Sequence, residues 1–191
     1  NQGFGTFLFF YFTQVLGLSG SLAGTAILVA LIFDAVTDPV AGSLSDNWKG
    51  SRGRRHPFMY AAAVPLGISY VILFNPPASY GQTGLFIWLT AFAIAVRGAM
   101  TLYHVPHLAM GAELSDDYQE RTSIVAWRTM LAVVGGGLVT IASYRLFFPE
   151  TAQFENGMLN PDGYSRYSVF AALIMIATIW YSAYGTRDRI P

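Results

Sequence analysis

Residues 22–45 read LAGTAILVALIFDAVTDPVAGSLS, and this stretch decides the fold. It is apolar over more than the roughly 20 residues that a bilayer-spanning helix needs. Two aspartates, Asp34 and Asp38, nevertheless lie inside it. Before it stand a short turn, GLSGS at 17–21, and an apolar run at 3–18 that is short for a span. That run reads as a helix whose start is absent, in a trimmed piece of chain. It has neither the charged flank nor the small-residue cleavage site of a signal peptide.

After it comes a basic loop, DNWKGSRGRRHP at 46–57, and then four further apolar runs at 58–74, 85–112, 123–148 and 167–184. Asn75-Pro76-Pro77 ends the third run, because proline removes a donor and turns the chain. The polar stretch ELSDDYQERT separates the fourth run from the fifth, and a turn-rich loop at 149–165, with Asn156-Gly157 and Pro161-Asp162-Gly163, separates the fifth from the sixth. Strands of a membrane barrel would alternate strictly over about ten residues, and these runs do not. The expected fold is an all-α membrane protein, one bundle of six transmembrane helices over 1–191.

Composition agrees. Of 191 residues 53% are hydrophobic and only 12% charged, against about 25% charged in a soluble domain. Eleven basic residues balance eleven acidic ones, and cysteine is absent. Disordered, nucleic-acid-binding and disulfide-stapled classes are thereby excluded. Seven basic residues (Lys49, Arg52, Arg54, Arg55, Arg121, Arg187, Arg189) fall in loops on one side, and two (Arg145, Arg166) on the other. Basic loops stay in the cytoplasm, so both ends of the segment are expected there, in a bacterial inner membrane.

Ionisable groups in hydrocarbon are costly and point to function. The i, i+4 spacing of Asp34 and Asp38 stacks two carboxylates on one face of a helix. Their repulsion is relieved by a bound Na⁺, by a proton or by a neighbouring arginine. Thr37 and Thr101 offer hydroxyl oxygens of the kind a hard cation prefers. Asp38 also precedes Pro39, so shaping a helix break is its bland alternative. On the fourth helix Arg97, Thr101, His104 and Leu108 follow spacings of 4, 3 and 4 and form one polar stripe. Arg97 reads as a ligand for substrate or as a structural counter-ion to Asp34. Arg128 in the fifth helix reaches a similar depth or snorkels to the surface.

Other features have quieter readings. His104 and His107 form an HxxH pair, too few ligands for a zinc site, with packing as the default for His107. The Gly135-Gly136-Gly137 run suggests close helix packing, or a hinge. Arg52, Arg54, Arg55 and Arg121 face Glu113, Asp116, Asp117 and Glu120 across one membrane side, as a gating contact or as solvated loop charge.

The segments DAVTDPVAGSLSD (34–46), KGSRGRRHPF (49–58) and HVPHLAMGAELSDDYQERTSIVAWR (104–128) resemble the glycoside-pentoside-hexuronide:cation symporter family of the major facilitator superfamily. The resemblance covers nearly the whole chain, as the N-terminal half of a twelve-helix fold. It implies Asp34 and Asp38 as cation-site carboxylates, Thr101 as a hydroxyl ligand and Arg128 as an arginine near the sugar. His104 stands where a familiar member has a substrate-binding aspartate, and Leu108 where it has a tryptophan that stacks on sugar. Arg97 replaces a small residue near the cation site. The expected function is Na⁺- or H⁺-coupled symport of a sugar or glycoside. Expected partners are that small molecule, the lipid bilayer and a C-terminal six-helix half, with no nucleic acid and no cofactor beyond the coupling ion. Alternatives are the same fold carrying a lysolipid or another organic solute, a non-transporting scaffold, and an intramembrane enzyme built on His104 and His107.

Overall fold

The computed structural model describes residues 2–48, 55–113 and 117–187, without the side chains of 2–4, 6, 112 and 113. Lys49, Arg52, Arg54, Asp116, Arg189 and the side chain of Glu113 therefore lie outside the described residues. Every regular element among the described residues is helical: α1 (Gln2–Phe10), continued by a π-helical turn (Tyr11–Val15), α2 (Gly20–Asn47), α3 (His56–Leu73), α4 (Gln82–Glu113), α5 (Tyr118–Phe147), a 3-10 turn (Gly157–Leu159) and α6 (Pro161–Gly185). The five helices α2 to α6 are long and apolar enough to cross a membrane. The first, even with its π-helical turn, is shorter.

Three helix starts differ from the sequence expectation by three residues or more. The fourth begins at Gln82 rather than 85 and the fifth at Tyr118 rather than 123. Asp117, expected to be loop charge, caps α5 by accepting from the amides of Gln119 (2.7 Å) and Glu120 (3.0 Å). The sixth begins at Pro161, so the triplet Pro161-Asp162-Gly163 is a first helical turn and not a loop turn. Asn160 caps it, accepting from Asp162 N at 3.0 Å, and proline fits the first turn because its missing N–H would have no helical partner there. The suggested break at Pro39 is absent, since α2 runs unbroken through it.

α4 is the centre of the bundle, with α2 and α3 packed on it and α6 packed on α3. The contacting faces are rich in small residues: Ala23, Ala26 and Ala30 on α2, Ala62 and Ala63 on α3, Ala93 and Ala99 on α4, all buried. Lipid tails are as apolar as these side chains, so association rests on close backbone approach and dispersion rather than on escape from water. Of α5 only Ser143 is buried, and its Leu131, Val133, Leu138 and Ile141 are more than half exposed.

Each end of the bundle is tied. At the end away from the basic loops, Phe7, Tyr11, Phe74, Phe148, Tyr164 and Tyr167 form an aromatic cluster in which Tyr11 stacks on Tyr164 at 4.2 Å. The Tyr11 hydroxyl donates to Phe74 O (3.0 Å) and the Tyr164 hydroxyl to Met158 O (2.8 Å). Gln82 clamps the α1–α2 turn, donating to Gly17 O at 2.8 Å and accepting from Ser19 N at 2.9 Å. Gly17 turns the chain there with φ +72°, a value that favours glycine. At the basic end Arg55 pairs with Asp46 at 2.9 Å, and His56 Nε2 lies 3.0 Å from the Thr186 hydroxyl, joining α3 to the end of α6.

Candidate functional site

Three contacts between α2 and α4 share one sequence offset. Asp34 pairs with Arg97, Asp38 with Thr101, and Gly42 lies under Val105, each pair separated by 63 positions. Both helices advance by four residues from one contact to the next, so they run parallel and in register along one seam. Two glycines line the seam, where a Cβ would meet its neighbours at ordinary contact distance. A Cβ at Gly42 would stand 3.5 Å from Val105 Cγ1, and one at Gly98 would stand 3.4 Å from the Phe33 ring. The seam therefore sets the carboxylates of α2 against the polar stripe of α4 at mid-helix.

A cavity of about 50 Å³ sits on this seam, lined by Asp34, Asp38, Arg97, Met100, Thr101 and His104. Its volume suits a water molecule or a small cation, not a sugar. Arg97 forms an ion pair with Asp34 through Oδ2, the two side chains being 12% and 22% exposed. Asp34 Oδ1 is buried with no hydrogen-bond partner among the described residues. The Thr101 hydroxyl donates to Asp38 Oδ1 at 2.7 Å. By formal charge, two carboxylates and one guanidinium leave Asp38 as the acid without an ion-pair partner among the described residues. Chemically this is an oxygen-rich, singly charged pocket suited to a monovalent cation or a proton.

The remaining predicted residues lie apart from the cavity. The Thr37 hydroxyl is turned back onto its own helix, donating to Phe33 O at 3.0 Å. Leu108 is exposed one turn beyond His104. The Arg128 guanidinium reaches the α4 backbone at Gly111, 3.8 Å from where a Cβ there would stand. Of the expected gating residues, Arg55 pairs with Asp46 and Arg121 lies in the first turn of α5. Arg52, Arg54 and the Glu113 side chain lie outside the described residues. His107 stacks on Tyr103 at 5.2 Å. No group of three or more His, Cys, Asp or Glu is gathered among the described residues.

Two features escaped the sequence reading. Met100 lines the seam cavity, a place its apolar character does not advertise. A larger cavity, about 640 Å³, opens beside α5 and is lined by Phe7, Phe10, Tyr70, Gly136, Val139, Thr140, Ser143, Tyr144, Phe148, Met158 and Tyr167. The glycine run borders this space rather than a helix contact. Among the described residues nothing lies within 4 Å of a Cβ placed at Gly135, Gly136 or Gly137, so the close packing expected of this run is not made within the described chain, where α5 stands off from the bundle.

The sequence profile described as MFS/sugar transport protein matches residues 1–191. A putative glycoside/cation symporter of Escherichia coli is 35% identical over 128 residues, covering 67% of this chain and 28% of the relative. An uncharacterised symporter of Synechocystis is 29% identical over 191 residues, covering 96% of this chain and 34% of the relative. The isoprimeverose transporter of Lactiplantibacillus pentosus is 25% identical over 187 residues, with coverages of 97% and 38%. The chain thus spans about a third of the length of the relatives it matches.

Proposed function

The chain belongs to the MFS/sugar transport protein family, and from that premise we propose that it is the N-terminal six-helix half of a cation-coupled symporter for a sugar or glycoside. The observation that carries the reading is the seam itself, where Asp34 and Asp38 share a cation-sized cavity with Thr101 at the middle of two apolar helices. A negative charge in that low-dielectric setting is stable only with a positive companion. If the cation-loaded form is the one that binds substrate, each ligand raises the affinity of the other by the same factor. Rocking of this bundle against a C-terminal bundle would then carry both across the membrane.

In this proposal Asp34, Asp38 and Thr101 form the cation site, and Thr37, whose hydroxyl is spent on Phe33 O, stands outside it. His104, Leu108 and Arg128 face substrate along the α4 stripe and α5, while Arg97, expected among them, is engaged by Asp34. The basic loop and Arg121 close the cytoplasmic side, in a bacterial inner membrane with both ends of the segment inside. The names of the Escherichia coli and Lactiplantibacillus relatives favour a glycoside or pentoside as cargo. The test is uptake of labelled glycosides, pentosides and, as competing cargo, lysolipids into proteoliposomes of the full-length protein. Accumulation of a glycoside driven by an imposed Na⁺ or H⁺ gradient is expected. Accumulation of lysolipid alone would change the cargo, and indifference to both gradients would overturn coupling.

A further inference from the structure

The seam holds two carboxylates, yet one of them already has a cation. Arg97 comes from α4, its side chain is nearly buried, and its guanidinium is paired with Asp34. The arrangement is built rather than incidental. Gly98, the next residue, lies against the Phe33 ring of α2, and the Asp38–Thr101 bond one turn further fixes the same register. Arg97 is held with little freedom to withdraw.

A mobile Na⁺ seated between Asp34 and Asp38 would lie beside a fixed guanidinium of like charge, and it would share Asp34 with it. Arginine keeps its charge at every accessible pH. Its repulsion is therefore permanent, unlike that of a titrating lysine or histidine. The cavity is too small to move the two cations apart, at about 50 Å³. We infer that Arg97 is a tethered counter-cation which takes the place of Na⁺ at Asp34 and makes the protein insensitive to Na⁺. This rests on the reading of the seam as the coupling site, and it assigns Arg97 to ion selectivity rather than to contact with substrate.

Removing the guanidinium should convert the site. Asp34 Oδ1, buried and without a hydrogen-bond partner among the described residues, would join Oδ2 and the Asp38 and Thr101 oxygens as a set of hard ligands suited to Na⁺. The experiment is equilibrium binding of ²²Na⁺ to the purified full-length protein in detergent, at fixed pH, with choline as the replacing cation. Wild type and Arg97→Lys should show no saturable binding. Arg97→Gly and Arg97→Gln should acquire saturable Na⁺ binding, a gain of at least about a hundredfold over the limit that the wild type sets, as expected on removing an adjacent like charge from a poorly screened site. The Arg97→Gly/Asp34→Asn double variant should lose that binding again.

Saturable ²²Na⁺ binding by wild type that disappears in Asp34→Asn would overturn the inference while leaving cation coupling intact. So would a folded Arg97→Gly or Arg97→Gln variant that binds no Na⁺. Failure of the underlying reading has a different signature: substrate accumulation indifferent to Na⁺ and H⁺ gradients alike. Since the wild-type and Arg97→Lys arms need no disruptive change, the inference stays open to refutation even if removal of the guanidinium impairs folding.

Discussion

Breaking the Asp34–Arg97 pair from one side should cost more than removing it from both. Both side chains are under a quarter exposed, at 22% and 12%. At a separation of about 4 Å and an effective permittivity of about 20, the attraction is about 4 kcal/mol. Truncating one partner of such a pair costs about 3–5 kcal/mol, since the other is left charged and poorly solvated. Arg97→Leu should therefore destabilise by about 3 kcal/mol, and Asp34→Asn by a similar or smaller amount, because Asp38 stands one turn away to share the freed guanidinium. The double variant Arg97→Leu/Asp34→Asn should return to within about 1 kcal/mol of wild type, as a neutral pair needs no counter-charge. The assay is equilibrium unfolding of the full-length protein in mixed detergent micelles, in Na⁺-free buffer so that no ion substitutes for the lost guanidinium. A coupling energy of about 3–5 kcal/mol is expected from the cycle. Strictly additive losses would refute the reasoning, by showing that the two charges do not depend on each other.

Three further substitutions probe the frame around the seam. Tyr11→Phe removes only the hydroxyl that donates to Phe74 O, and should cost about 1 kcal/mol in the same unfolding assay; no loss would mean that Phe74 O finds another donor. Gly98→Leu should push α4 off Phe33 and uncouple transport from its cation, while Gly98→Ala, whose Cβ would meet the ring at 3.4 Å, should retain coupling in the uptake assay. Gly136→Ala has open space around its Cβ and should be neutral or stabilise by up to about 1 kcal/mol; a clear destabilisation would restore the glycine run as a packing face.

The site was more legible than the helix ends. Asp34, Asp38, Arg97, Thr101 and His104 stood out because an ionisable or polar group inside an apolar run has little other reason to be there, and the i, i+4 and i, i+3 spacings assigned each set to one face. Spacing says nothing about which group on one helix meets which on the other. The shared 63-residue offset, and with it the choice of Arg97 for Asp34 and Thr101 for Asp38, is a property of packing. Thr37 illustrates the limit, for its hydroxyl can satisfy itself on the carbonyl a turn behind. The starts of α5 and α6 were hidden because capping residues such as Asp117 and Asn160 are polar and imitate loop composition while belonging to the helix. Gly135-Gly136-Gly137 left its neighbour open for a related reason. A missing side chain permits close approach but does not summon a neighbour, and here it borders a cavity instead.

The most direct test is made at Asp38, the carboxylate that Arg97 leaves uncompensated. Asp38→Asn keeps the shape of the side chain and an oxygen for the Thr101 hydroxyl while removing the charge. In proteoliposomes of the full-length protein, the variant should lose gradient-driven accumulation of its glycoside yet still exchange labelled for unlabelled substrate across the membrane. Undiminished accumulation by Asp38→Asn would contradict the claim that the acids of this seam couple a cation to transport.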